Sequence, residues 1–524
     1  MKSLLTVLFA GAKMPHAFDP AFDGKSAFDR ALAWAASVPG SVRTVVFTDG
    51  ENRANAEAAC GDRAVSFVQH DGWTNALIAE SIAASCAEHE AECAVFAWAD
   101  CPFLNAPLTA ELVETHTKYR AEYTFADGYP YGLTPEVVDA GAARIIAALG
   151  RGVQQTAGDR PAARDALFAI MSGDINAFEI ETVIAPKDYR MLRLDFSCGE
   201  KLPFRACTRL FAAARDACAL AGADFDACAL SDHAEKNESV LRTVPAFYNV
   251  QIAARYNHDL VYSPYRQLTA ALALDDMAFA DFQSLVAQMA ALSETAVVSL
   301  SAFGEPLLHP RFADCVREVL SYPGLSVFIE TDGTLVTESL AADLARLDAR
   351  RIVWVVLLDA AESSLYARLH QCDAGDFSRA VAAVGLLERH FPHRVYPQMT
   401  RMKANEPQLE QFYRHWKDKD SASAGELIIQ KYNRFCGALP DEQSADLSPL
   451  ERMPCWHLRR DLTILSDGSV PLCVSQATGA AAGNALTEGI AAVWERFSGP
   501  LAAQIGRDYP AACETCDEFY TFNF

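Results

Sequence analysis

Six short apolar runs follow one another between about residues 245 and 435, at 247–252, 296–301, 326–330, 352–358, 395–398 and 426–430, with helix-like segments between them. Antiparallel strands can be joined by tight turns, whereas strands separated by whole helical segments are the signature of parallel pairing. The segment between the first two runs carries Met277, Phe279, Phe282, Leu285, Val286, Met289 and Leu292, an apolar stripe at helical spacing. Six strand–helix units in succession predict a parallel sheet curled toward a partial barrel. Such a sheet gathers its chemistry at the C-terminal ends of its strands.

A second alternation occupies residues 1 to about 225. Strands are predicted at 4–9, 44–47, 94–98 and 123–125, with a later one at 177–184, and amphipathic helices at 26–36 and 74–86. This half also reads as an α/β sheet with crossover helices. The polar stretch 231–239 is predicted to link the halves. From about residue 450 the chain is turn-rich and cysteine-bearing, so a metal site is expected to replace a large core there. The expected organisation is an α/β chain with domains at 1–228, 245–440 and 450–524 and a linker at 229–244.

Of 524 residues, 51% are hydrophobic and 22% charged, which are globular values. The formal charge of −23 opposes binding to phosphate backbones and anionic lipid. No nucleic-acid or membrane partner is expected. The N-terminal apolar run is short for a signal peptide and reads as a buried first strand. An odd total of 15 cysteines, with no compact secreted framework, fits a reducing cytoplasm. Cys60, Cys86, Cys207, Cys218 and Cys315 sit in apolar, helix-like surroundings and are expected to be buried free thiols.

Four other cysteines stand apart in the last seventy residues. Cys455 opens the group; Cys473 follows an Asp467-Gly468 turn expected to join two strands of a hairpin; Cys513 and Cys516 form a C-x-x-C pair. Four thiolates can close one iron–sulfur cluster, and zinc accepts the same ligands.

The segment SLSAFGEPLLHPRF at 299–312, with IETDGTLV, VVLLDA, GDFSRAVAAVGLL and RMKANEPQLEQF after it, resembles the radical S-adenosylmethionine (radical SAM) superfamily over residues 245–435. The resemblance implies that Gly304, Glu305 and Pro306 belong to the loop that contacts the methionine amino group of S-adenosylmethionine. The superfamily's C-x-x-x-C-x-x-C motif follows the first strand. Here Tyr256, Leu260 and Ser263 stand at its three cysteine positions, while Asn257, Tyr262 and Pro264 keep the frame. Without those thiolates there is no open iron to chelate the cofactor and no 5′-deoxyadenosyl radical by that route.

The tail, with Gly483-Asn484 and Trp494 between its cysteines, resembles the SPASM extension in its four-cysteine form. That resemblance implies one auxiliary [4Fe–4S] cluster on Cys455, Cys473, Cys513 and Cys516. The N-terminal part, through ADCPFLNAPLTAELV and the opening LFAGAKMP, resembles cytidylyl-transferring nucleotidyltransferases of the GT-A/Rossmann-like kind. It implies a nucleotide loop at Gly11, a charge-neutralising Lys25 and an Mg²⁺-holding Asp100. The second glycine and the arginine of that family's loop are missing.

Together these resemblances identify the chain as a spiro-SPASM type protein. The expected function is that of an iron–sulfur protein with a degenerate radical SAM core, binding or relaying electrons to a protein or peptide partner in peptide or envelope modification. Two other outcomes stay open: an active enzyme, either a radical SAM enzyme with altered ligation or a sugar nucleotidyltransferase using Mg²⁺ and nucleotide, and a zinc-holding scaffold.

Overall fold

The computed structural model describes residues 3–157, 161–272 and 274–521. The chain divides into two compact units, Met1–Thr243 and Val244–Phe524.

The first unit is built on one seven-stranded sheet of β1 (Leu4–Ala10), β2 (Ser41–Thr48), β3 (Val65–Gln69), β4 (Cys93–Trp98), β5 (Tyr123–Asp127), β6 (Glu136–Asp139) and β7 (Ile180–Ile184). Their order is β3-β2-β1-β4-β6-β5-β7. Only β6 runs antiparallel to its neighbours. All seven residues of β1 are buried, because this central strand pairs in parallel on both edges and carries helices on both faces. The predicted strands are all present. β3 and β6 are additions.

The helix Ala27–Ala35 starts at a reciprocal cap: the Asp29 amide donates to Ser26 Oγ, and the Ser26 amide donates to the Asp29 carboxylate. The stretch expected to be a linker is helical instead, in Ala227–Glu235 and Glu238–Leu241. Its apolar residues Ala227, Leu230, Ala234, Val240 and Leu241 are buried, and burial of that spacing outweighs the polarity of the residues between them.

The second unit holds β8 (Phe247–Val250), β9 (Ala296–Ser299), β10 (Leu325–Thr331), β11 (Ile352–Leu357), β12 (Val395–Arg401), β13 (Ile428–Lys431) and β14 (Asp461–Ile464). They form one all-parallel sheet in the order β13-β12-β11-β10-β9-β8-β14. The six predicted strands run in sequence order, and β14 joins beside β8. Strand residues alternate: Tyr248, Val298, Val327, Ile329, Trp354 and Val356 are buried on one face, while Phe247, Phe328, Val355 and Leu357 form an apolar cluster on the other. A sheet buried on both faces is the half-barrel expected from the sequence. The helix Phe279–Ser293 buries Phe282, Leu285, Val286 and Met289; Met277 lies just before it, tied by its amide to the Ile252 carbonyl.

The small sheet of β15 (Ser469–Pro471) and β16 (Ala481–Asn484) is antiparallel. The five single cysteines expected to be buried are free and buried. Among the described residues, no helix is long and apolar enough to cross a membrane.

Candidate iron–sulfur site and barrel interior

Cys455 sits at the N-terminus of the short helix Trp456–Arg460, and its amide donates to Gln504 Oε1 at 2.9 Å. That helix leads into β14, and a tight turn follows. The Gly468 amide donates to the Leu465 carbonyl, and the Leu465 amide to the Ser469 carbonyl, both at 2.9 Å. Gly468 takes φ +82°, and a Cβ there would lie 2.6 Å from Leu486. The turn is as expected, but its two arms do not pair with each other. β14 is taken by β8, and β15 pairs with β16. A half-barrel edge is the stronger competitor for β14, because it offers a buried parallel ladder. Asn484 locks the arrangement: its Nδ2 donates to the Asp467 carbonyl at 2.9 Å, and its Oδ1 accepts from the amides of Leu486 and Thr487. This places Cys473 at the end of β15.

The Cys513–Cys516 loop is closed by a Cys516 amide to Cys513 carbonyl bond of 3.1 Å. The Arg452 guanidinium donates to the carbonyls of Cys513, Glu514 and Cys516, gathering the loop around one cation. Donors point at sulfur: the Glu518 amide at Cys516 Sγ (3.4 Å), Gln476 Nε2 at Cys513 Sγ (3.5 Å), the His457 and Leu458 amides at Cys455 and the Ser475 amide at Cys473. Donors of this kind stabilise thiolates and tune bound iron. Burial pushes the Cys455 thiol up to about 12, with the charges of Cys516 and Cys513 adding to it. Burial also raises Cys473, which feels Cys455, Cys516 and Cys513. The four predicted sulfurs therefore share one neighbourhood.

A fifth thiol joins them. Cys436, in a left-handed turn at φ +54°, is hydrogen-bonded to Cys516 and feels the charges of Cys516, Cys473 and Cys513. That bond brings the Cys516 thiol down to about 7, against the opposing effect of burial. Sequence reasoning missed Cys436, which precedes the tail by a turn-rich stretch and belongs to no spacing motif.

Tyr256, Leu260 and Ser263 line a cavity of about 570 Å³ inside the half-barrel. Leu260 is buried and packs with Phe247, Phe328, Val355 and Leu357; Tyr256 and Tyr262 flank the same cluster. The loop that carries them is anchored, since the amides of Asp259 and Val261 donate to the carbonyls of His370 and Leu369. The Tyr262 hydroxyl donates to Asp359 at 2.7 Å, and Ser263 Oγ accepts the Tyr265 amide.

Gly304 is required by a backbone approach: a Cβ on it would sit 1.8 Å from the Ala253 carbonyl oxygen. The Glu305 amide donates to the Arg255 carbonyl, so this loop is stitched to the one after β8. The Glu305 carboxylate is fully buried and turned into the protein. It accepts from Thr331 Oγ1 (2.9 Å), the Leu307 amide and the Asp332 amide (both 3.1 Å). Burial, and then the Asp332 charge, hold it well above the usual carboxylate range. Pro306 opens the short helical turn Pro306–Leu308.

In the first unit, the space a side chain at Gly11 would need is filled by the Trp73 indole, 2.3 Å from the ideal Cβ position. Asp100 is fully buried and held by both ends of the Arg164 guanidinium, at 3.0 and 2.6 Å. Arg164 in turn lies over Trp98 and bonds to the Tyr131 hydroxyl. Lys25 is exposed, follows an Asp23-Gly24 turn, and lines a separate hollow of about 190 Å³ with Arg30 and Asp224. Asp100 is not among the residues that line that hollow.

Residues 455–517 match the SPASM iron–sulfur cluster-binding domain. An uncharacterized protein of Treponema pallidum (strain Nichols) is 38% identical over 369 residues, covering 68% of this chain and 98% of that protein. Among solved structures, Streptococcus suis SuiB bound to its precursor peptide SuiA is 13% identical, with a TM-score of 0.41 over 53% of this chain and 71% of its own. A cytidylyltransferase from Leptospira borgpetersenii is 13% identical, with a TM-score of 0.38 over 46% of this chain and 97% of its own. Both structural likenesses are too distant to carry a functional argument. The chain belongs to the same family as the Treponema pallidum protein, and its residues 455–517 carry a SPASM iron–sulfur cluster-binding domain.

Proposed function

We propose that this chain is an iron–sulfur protein of the spiro-SPASM type, with one auxiliary [4Fe–4S] cluster and a half-barrel that has lost its radical-generating cluster. Cys455, Cys473, Cys513 and Cys516 would hold the auxiliary cluster, which stores or passes an electron when bound. The donor set fits a cluster: four thiols, buried or half-buried, each with an N–H donor aimed at its sulfur. Sulfurs on one zinc ion sit about 3.8 Å apart, given Zn–S bonds of about 2.3 Å. A four-thiolate zinc site would need that spacing, and iron and sulfide analysis separates it from a cluster.

The observation that carries the loss of radical chemistry is the packing of Leu260. A thiolate position has become part of the apolar lining, among Phe247, Phe328 and Leu357. Glu305 is likewise fully buried, with its carboxylate already accepting from Thr331, Leu307 and Asp332. The cavity that remains is lined by aromatic, amide and hydroxyl groups, with Lys431 and Glu330, and is suited to a peptide segment. The role that follows is binding or electron relay for a protein or peptide partner in the cytoplasm, in peptide or envelope modification. The first unit is read as a nucleotidyltransferase-like fold whose Asp100 is committed to Arg164 and not to Mg²⁺.

The test is Cys513→Ala in anaerobically purified protein. Loss of nearly all iron and sulfide supports the assignment. Iron retained at the wild-type level contradicts it. Pyrophosphate release from CTP, abolished in Asp100→Ala, would restore the transferase reading.

A further inference from the structure

Past the C-terminal ends of β10 and β11, two histidines and three carboxylates are buried together. His258 Nε2 lies 3.2 Å from Asp376 Oδ2. His258 Nδ1 lies 3.4 Å from His370 Nδ1 and 3.6 Å from Asp332 Oδ2. His370 Nε2 lies 3.1 Å from Asp359 Oδ2, which also accepts the Tyr262 hydroxyl. The other oxygen of Asp376 pairs with the exposed Arg379.

Count the protons in the chain Asp376–His258–His370–Asp359. It has three contacts, and two neutral imidazoles supply one N–H each. Whichever tautomers are chosen, one contact sets lone pair against lone pair. Asp332 deepens the deficit: it is fully buried, its Oδ2 accepts no hydrogen bond, and it faces the same ring. A cation bound nearby would offset that buried negative charge without being ligated by it.

Cys372 supplies what an acidic cluster alone would lack. One ligand atom from each of His258, Cys372 and Asp376 lies within 4.8 Å of the other two. Ligands bound about 2.0–2.1 Å from a tetrahedral ion are about 3.3 Å apart, close to the His258–Asp376 spacing. Cys372 is partly exposed, which leaves a way in for an ion. The geometry points to a mononuclear divalent-cation site of zinc type, with His258 Nε2, Asp376 Oδ2 and Cys372 Sγ as its three protein ligands and a fourth position open.

A cation at Nε2 completes the count. His258 then keeps its proton on Nδ1, for His370, and His370 donates from Nε2 to Asp359. The ligand histidine is thereby oriented by an imidazole–carboxylate relay, the arrangement that fixes a metal-bound imidazole elsewhere. Thiolate, imidazole and carboxylate together favour zinc over magnesium or calcium. Three protein ligands with one open position are the pattern of a reactive site. This site does not depend on the cysteine cluster of the tail.

The test uses full-length protein purified anaerobically, with iron and sulfide counted in each sample so that the C-terminal cysteines are accounted for. After treatment with a chelator that leaves iron in place, cobalt(II) is titrated and followed by its sulfur-to-cobalt charge-transfer absorption. The expected result is about one equivalent bound. His258→Ala and Asp376→Ala should each weaken it by roughly ten-fold or more at unchanged iron content. Cys372→Ser, at a partly exposed position that disturbs the core least, should abolish the charge-transfer band. Wild-type protein that takes up no cobalt overturns the proposal. So does a band that survives Cys372→Ser, or an affinity unaltered in the folded His258 and Asp376 variants.

Discussion

The thiol of Cys436 is hydrogen-bonded to that of Cys516, so one of the four predicted cluster ligands meets a fifth cysteine as a donor. The two are 80 positions apart in sequence by their numbering (516 − 436). The bond holds Cys516 toward thiolate and leaves the proton on Cys436. Cys436→Ser keeps a donor in that place and is expected to retain at least about four-fifths of the iron. Cys516→Ser is expected to lose nearly all of it. Iron and acid-labile sulfide analysis of the two variants side by side checks this.

Asn484 ties the Asp467-Gly468 turn to the strand that pairs with β15, using one donor and one acceptor. Asn484→Ala removes both and should cost the C-terminal domain about 1–2 kcal/mol. Because Cys473 hangs from β15, the measurable outcome is faster bleaching of the cluster absorption under a chelator, with the starting iron content little changed.

Gly304 has no room for even one more carbon, since the Ala253 carbonyl occupies the place of its Cβ. Gly304→Ala must push the loop after β8 away and should destabilise the second unit by roughly 1–3 kcal/mol. Thermal unfolding followed by tryptophan fluorescence tests it. A glycine kept only for ligand access would show no loss in the unliganded protein.

Much of this architecture is visible in the strand patterns. The continuous apolar run of β1 and the strands β8 to β12 announce themselves, because they carry buried residues on both faces, and the half-buried edge strand β13 is visible through its place in that succession. β3 escapes because its residues are only half-buried, and β6 because it is four residues long and reversed. The cysteine tail is legible through local spacing. Its strand pairing is not, because β14 finds its partner in β8, more than 200 residues earlier.

The same holds for side-chain clusters. His258, Asp332 and Asp359 come from three separate loops after strands, and Cys372 and Asp376 from a fourth stretch, so no spacing rule links them before the sheet is folded. Gly11 is informative in the opposite way. Its local sequence suggests a ligand loop, and a distant Trp73 explains it.

Glu330 faces the barrel cavity, and burial followed by the Asp359 charge lifts its carboxyl to about 7 from an ordinary 4.5. Between those values the folded chain binds more proton than the unfolded one, so stability falls as pH rises through that window and levels off above it. Buried Glu305 acts in the same direction. The thermal midpoint of the wild type should therefore drop between about pH 5 and 7. Glu330→Gln, neutral throughout, should flatten part of that slope. An unchanged slope in the variant would remove Glu330 from the account.

The claim that one cluster remains where the superfamily's architecture would have two is tested most directly by counting iron and sulfide per chain. The count is made on anaerobically reconstituted protein, with 5′-deoxyadenosine assayed after reduction in the presence of S-adenosylmethionine. The account predicts about four of each and no 5′-deoxyadenosine above background. About eight of each, with 5′-deoxyadenosine released, would contradict it.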